Sequence, residues 1–257
     1  MNLDHDSKLF FAEPMEDIVV IHFKKNLLGQ LAELPGKEDF LQYLESVSRE
    51  PRVKVVLLLG CPEKVAHQEA VAFFRSLTGP GANEYRTARV FNAVNQIVLS
   101  LRAMPQFVIH GDCGEIQAPF FNISLACDYR IMGDRAVLKF TSPELGLIPK
   151  GGGIYFLLEH LGRSKTWEIL LSPEGIGAQK ALEMGLVDRV VPSAFLEEES
   201  IAHARRLGKM PLHLLAGAKS LINLPPMELS AFLERENQVL TENIMSERFQ
   251  VRLEREP

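Results

Sequence analysis

The sequence predicts an α/β fold built on a mostly parallel sheet, with a helical lobe towards the C-terminus. Three observations carry this expectation. Short runs rich in β-branched and aliphatic residues recur at 19–23, 53–59 and 107–110. Segments with apolar residues at helical spacing separate them, and from Phe195 onward the pattern is helical throughout. The chain therefore divides into an α/β core over 1–194 and a helical lobe over 195–257.

Continuous apolar runs of this length suit strands covered on both faces by helices. Phe40, Leu44 and Val47 mark a helix in a segment starting near Lys37. Val90, Val94, Ile97 and Leu101 form the stripe of a longer one. Pro105 closes it, because the residue before a proline is pushed out of the α region. Gly79-Pro80-Gly81 reads as the loop before that helix. Further on, 123–127 is a small apolar block, while 129–132 and 137–140 read as strands. After Gly151-Gly152-Gly153 helices are expected at 154–161, 165–171 and 178–185, with Gly185 as the stop of the last. Residues 187–191 return to a strand, and the C-terminal helices break at Pro211 and at Pro225-Pro226.

A chain of 257 residues buries enough surface to fold without a metal or disulfide staple. Hydrophobic residues at 46% and charged residues at 24% are those of a globular protein, not a disordered one. A net charge of −5 with pI near 5.9 argues against nucleic acid or an anionic membrane as partner, since those binders carry a basic face. The longest aliphatic stretch, 55–59, is far short of the roughly 20 residues that span a bilayer. Residues 1–17 are polar and acidic with no apolar h-region, so no signal peptide is expected. Cys61, Cys113 and Cys127 are odd in number and lack close metal-type spacing, which suits reduced thiols in a cytoplasmic chain.

Motifs of common chemistries are missing. Lys150-Gly151-Gly152-Gly153 lacks the other P-loop residues, so its glycines are read as a tight entry into the helix at Ile154. The seven histidines, among them His22, His67, His110 and His160, show no H-E-x-x-H or other ligand spacing. No G-x-S-x-G elbow surrounds a serine. One carboxylate stands out by context. Glu144 lies between Pro143 and Pro149 among apolar neighbours, where lost solvation would raise its pKa towards a useful acid–base value. The plainer reading is a glutamate that caps or pairs at a surface turn.

The central chain resembles the crotonase superfamily, the enoyl-CoA hydratase and isomerase group. Leu125-Ala126-Cys127-Asp128-Tyr129-Arg130-Ile131 is similar to one family segment. Pro143-Glu144-Leu145-Gly146, followed by Pro149 and Gly152-Gly153, is similar to the next. Leu161-Gly162-Arg163, residues 178–181 and Gly185-Leu186-Val187-Asp188-Arg189-Val190-Val191 are similar to a third, in family order. The resemblance implies a crotonase-like spiral of ββα units with a C-terminal lobe that trimerises, as a homotrimer or a dimer of trimers. It implies acyl-CoA or acyl-carrier thioester substrates, with coenzyme A as part of the substrate and no separate cofactor. It also implies an oxyanion hole of two backbone N–H groups, donors fixed in advance of the charge they stabilise.

Carried across residue by residue, the resemblance puts the first donor at His67, in the segment 65–70, with Lys64 and Val65 beside it as coenzyme A contacts. The second falls on Pro119, which has no N–H to give. Proline suits the first turn of a helix, so the fold survives, and Phe120 is the substitute donor. Of the two glutamates used by hydratases, Asn122 occupies the first position and Glu144 the second. Asn122 can hold a water or a polar group but cannot exchange a proton near neutral pH. One acidic residue suits isomerisation or decarboxylation better than hydration. A catalytically degenerate relative that binds a thioester or a partner subunit is the alternative. His67 is either a functional side chain or a surface histidine, Phe120-Phe121 either pocket or core, and Lys64 either a phosphate contact or solvated. Cys113 and Cys127 are read as small buried apolar residues, and Glu197-Glu198-Glu199 as the acidic start of a helix.

Overall fold

A computed structural model of the chain describes residues 3–32, 34–62, 66–78, 84–139, 147–171, 175–223, 226–245, 249, 251 and 254. Strands β1 (His5–Asp6), β2 (Phe10–Met15), β3 (Ile18–Phe23), β4 (Val55–Leu59), β5 (Phe107–Asp112), β7 (Tyr129–Gly133) and β10 (Arg189–Val191) form one sheet in the order β1-β2-β3-β4-β5-β7-β10. From β3 to β10 every pairing is parallel, while the two pairings at the other edge are antiparallel. A smaller sheet joins β6 (Glu115–Gln117), β8 (Val137–Lys139) and β9 (Ile176–Gly177).

The central strand β4 is buried along its whole length, which is why its sequence does not alternate. Its side chains still divide between two layers. Val56 and Leu58 enter the larger core, beneath α1 (Leu27–Ala32), α2 (Leu34–Ser48), α3 (Ala66–Thr78), α4 (Glu84–Ala103) and α5 (Ala118–Leu125). Val55, Leu57 and Leu59 enter a smaller one with Leu196 and Ala204. Those two belong to α8 (Leu196–Gly208), which begins with Glu197, Glu198 and Glu199 and ends with Arg205 and Arg206. Both ends carry the charge that complements the helix dipole.

Helix α6 (Gly153–Leu170) covers both expected helices, and they part where Gly162 takes a non-helical φ of 71°. Ala178–Glu183 forms α7, followed by the left-handed Gly185. Leu212–Ile222 forms α9 after Pro211, and Pro226–Ile244 forms α10. Some expected bounds shift. β4 starts at Val55 rather than at residue 53, since Val53 N–H bonds the Glu50 carbonyl in a turn. β10 starts at Arg189 rather than at 187, because Val187 N–H is spent on the carbonyl of Ala181. The block 123–127 completes α5 and its C-cap instead of standing apart.

Cys127 is buried, and burial pushes its thiol up to about 12. A thiolate is the nucleophile towards disulfide reagents. Native protein is therefore expected to label at Cys61 and Cys113, both partly exposed, and to leave Cys127 unlabelled until denaturant is added, as counted by mass spectrometry. Rapid native labelling of Cys127 would contradict its burial.

Candidate active site

The parallel strands β3, β4 and β5 end at one edge of the sheet, where open α/β sheets place their ligands. Two helices begin there. The N–H groups of a helix's first turn point outward, because no carbonyl lies four residues back to receive them. His67 lies in the first turn of α3, and Phe120 in that of α5. The segment read as a donor loop is thus helical from Ala66 onward. In α5, Gln117 is the extended N-cap and Pro119 occupies the first turn. The missing proline N–H costs the helix nothing there, and Phe120 carries the next N–H of the same turn.

A small cavity of ≈ 10 Å³ lies between these helix starts. That is about the space one water needs. Phe23, Leu27 and Phe120 form its apolar wall; Lys24, Cys61, Glu69, His110 and Asp112 form its polar one. A cleft of ≈ 790 Å³ adjoins it through Phe23, Lys24, Gly60 and Cys61, within the range of small-molecule sites. Lys8, Lys24 and Lys25 line this cleft beside the stacked rings of Phe11 and His22, whose centroids are 4.3 Å apart. Gly60 is required where the two spaces meet: any Cβ there would collide with the Asp112 carboxylate.

The expected site residues divide. Phe120 and Phe121 are both buried in the larger core, and Phe120 also lines the small cavity. His67 is half-buried at the start of α3, and its side chain is not among those lining the cavity. Lys64, Val65 and Glu144 lie outside the described residues. Asn122 faces neither space. It is fully buried, its Nδ2 donates to the Lys150 carbonyl at 2.7 Å, and its amide rests against Gly153. Among the described residues its Nδ2 bonds main chain, while its buried Oδ1 has no hydrogen-bond partner.

The loop that Asn122 fixes is held from its other side by Glu236 of α10. This carboxylate accepts from the N–H of Gly151 at 2.8 Å, from that of Gly152 at 2.9 Å and from the Lys150 ammonium at 2.8 Å. Lys150 also donates to Asn95 of α4. Burial pushes the Lys150 ammonium down from the ordinary lysine range, and the Glu236 charge opposes this. Gly151 and Gly152 have φ of +90° and +76°, which glycine adopts without a steric penalty. Among the described residues no group of three or more His, Cys, Asp and Glu side chains could hold a metal, and no helix is long and apolar enough to cross a membrane.

The family model for enoyl-CoA hydratase/isomerase matches residues 36–255. The chain belongs to that family. A protein of Mycolicibacterium paratuberculosis named as a probable enoyl-CoA hydratase is 28% identical over 195 residues, covering 74% of each chain. A trans-2-decenoyl-[acyl-carrier-protein] isomerase of Streptococcus mutans is 24% identical over 191 residues, covering 74% of this chain and 72% of that one. The crystal structure of an enoyl-CoA hydratase from Bacillus halodurans superposes with a TM-score of 0.82 at 20% identity, covering 95% of this chain and 98% of that one. The fold of this family member is crotonase-like, with its helical region at the C-terminal end.

Within this family member, two buried polar side chains lie in the C-terminal half of β5, one of them a histidine noted in the sequence only for lacking metal-ligand spacing. His110 and Asp112 are 5% and 2% exposed and share one face of β5. A signal for them existed: two titratable residues spaced i, i+2 inside an otherwise apolar strand.

Proposed function

We propose that the protein moves a proton on an enoyl thioester of coenzyme A or of an acyl carrier, isomerising its double bond. The thioester carbonyl sits against the first turns of α3 and α5, where the N–H groups of His67 and Phe120 stabilise the enolate oxygen. Glu144 is the acid–base residue. The observation that carries this reading is the meeting of two helix starts at one cavity on the strand-end edge. Family membership and the activity named for the Streptococcus relative support it. The adjoining cleft, with its lysines and ring ledge, suits the phosphates and adenine of coenzyme A. Hydration is the less favoured reaction, because Asn122 is committed to the Lys150 carbonyl. The test is to mix the protein with short cis-3- and trans-2-enoyl-CoAs and to follow double-bond movement and water addition separately.

A second reading has one observation in its favour. The small cavity has space for about one water, too little for an acyl chain as it stands. A degenerate relative would bind the thioester without turnover. Coenzyme A would then raise the melting temperature while no enoyl-CoA was converted.

The family resemblance also carries a proposal about assembly. Trp167 and Leu171 at the end of α6, and Leu221 and Ile222 at the end of α9, are exposed. Apolar groups of this size are covered in an oligomer, and we assign them to contacts between copies in a homotrimer. Light scattering on the eluting protein is expected to give three times 28.8 kDa or a multiple of that. A single-chain mass would refute it.

A further inference from the structure

His110 and Asp112 are titratable, buried and unused by the reading above. The cross-strand register pairs Leu58 with His110 and Leu59 with Gly111, so Asp112 falls beside Gly60 at the strand end. Being two residues apart on one strand, His110 and Asp112 point to the same side, with Cα atoms about 6.6 Å apart. Both line the small cavity together with Phe120. The Asp112 Oδ1 accepts the N–H of Cys113 at 2.7 Å, and the carboxylate lies against the Cα of Gly60. An imidazole and a carboxylate in an interior position carry a desolvation cost that leucine and valine would not. Such placements concentrate at functional sites.

Position 122 leaves an acid–base role unfilled, since Asn122 neither titrates nor faces the cavity. We propose that His110 fills that role as a second proton-transfer residue, with Asp112 as the carboxylate that positions it; this rests on the thioester reading above. Of the groups in the wall, the imidazole is the one whose charge ordinarily changes near neutral pH. Glu69 is placed at the first turn of α3.

The first base takes a proton from the α carbon of a bound 3-enoyl thioester, leaving a dienolate whose oxygen is held by main-chain N–H groups. The His110 imidazolium gives its proton to the γ carbon, so a C–H bond forms as an N–H bond breaks and the 2-enoyl thioester results. The neutral imidazole regains a proton from solvent, and the first base returns its own to solvent. Among the described residues, the charged or titratable groups around His110 are Lys24, Cys61, Glu69 and Asp112 in the cavity wall and its cross-strand partner Arg130.

The experiment uses cis-3-hexenoyl-CoA carrying deuterium at the α carbon. With two groups at work, the departing deuterium is lost to water, and the γ carbon of the product carries solvent hydrogen. Recovery of most of that deuterium at the γ carbon means one group carries it across, and overturns the proposal without any variant. His110→Gln is expected to lower kcat about 100-fold, with KM and melting temperature nearly unchanged. Asp112→Asn is expected to move the alkaline limb of the kcat pH profile to lower pH, because the proton-donating imidazolium loses its counter-charge; an unmoved limb counts against the pairing. If the parent turns over no enoyl thioester, the underlying reading fails. If the parent is active and His110→Gln stays within about threefold of it, this assignment alone fails.

Discussion

Replacing Glu236 by alanine is expected to lower the unfolding free energy by about 3–5 kcal/mol. The side chain is 1% exposed and closes a network across three elements: the ammonium of Lys150, the N–H groups of Gly151 and Gly152, and through Lys150 the amide of Asn95 on α4. Alanine would strand a buried ammonium and leave two buried N–H groups without their acceptor. Each of those is a desolvation cost with no return. The loss reads as a fall in melting temperature of roughly 6–20 °C for a chain of this size. Glu236→Gln should cost less, since an amide oxygen still accepts from the glycines. Combining Glu236→Gln with Lys150→Met should recover part of the single-variant loss, because removing both charges removes the unpaired one. A shift below about 2 °C for Glu236→Ala would show that the network contributes little to stability.

This network also marks the limit of what the sequence reveals. The parallel strands were readable, because a strand covered on both faces must be continuously apolar, as 55–59 is. The antiparallel edge was not. In β2, Ala12 is buried while Glu13 and Pro14 are exposed, so only half the strand carries an apolar signal. Helix α3 was hidden behind a loop expected from family resemblance, although Ala70, Phe73, Phe74 and Leu77 stand at helical spacing and are buried. Glu236 lies 86 residues beyond Lys150. No local pattern distinguishes a glutamate that will bury itself there from others on the same helix; only the folded chain brings it to the glycines. Asn122 was visible as a departure from two-glutamate chemistry, but its use, an amide held on the Lys150 carbonyl, needed coordinates.

Two positions that look equivalent by resemblance should therefore behave oppositely when changed. Glu144→Gln keeps the size and hydrogen-bonding reach of the side chain but removes the exchangeable proton. It is expected to lower kcat by about 10²–10⁴ while leaving thioester binding and the melting temperature close to those of the parent. Asn122→Ala is expected to do the reverse. It removes a buried donor from the Lys150 carbonyl and leaves that oxygen unsatisfied, at a cost of about 1–3 kcal/mol. Turnover per folded molecule should change little, because the amide does not face the cavity. Single-turnover rates with a short enoyl-CoA, set beside urea unfolding of each variant, separate the two effects. Unchanged turnover in Glu144→Gln would remove it as the base. A large kcat loss in a fully folded Asn122→Ala would mean that the amide reaches the reacting carbons. Both results turn on which of the two side chains can exchange a proton beside the thioester and which only supports the loop next to it.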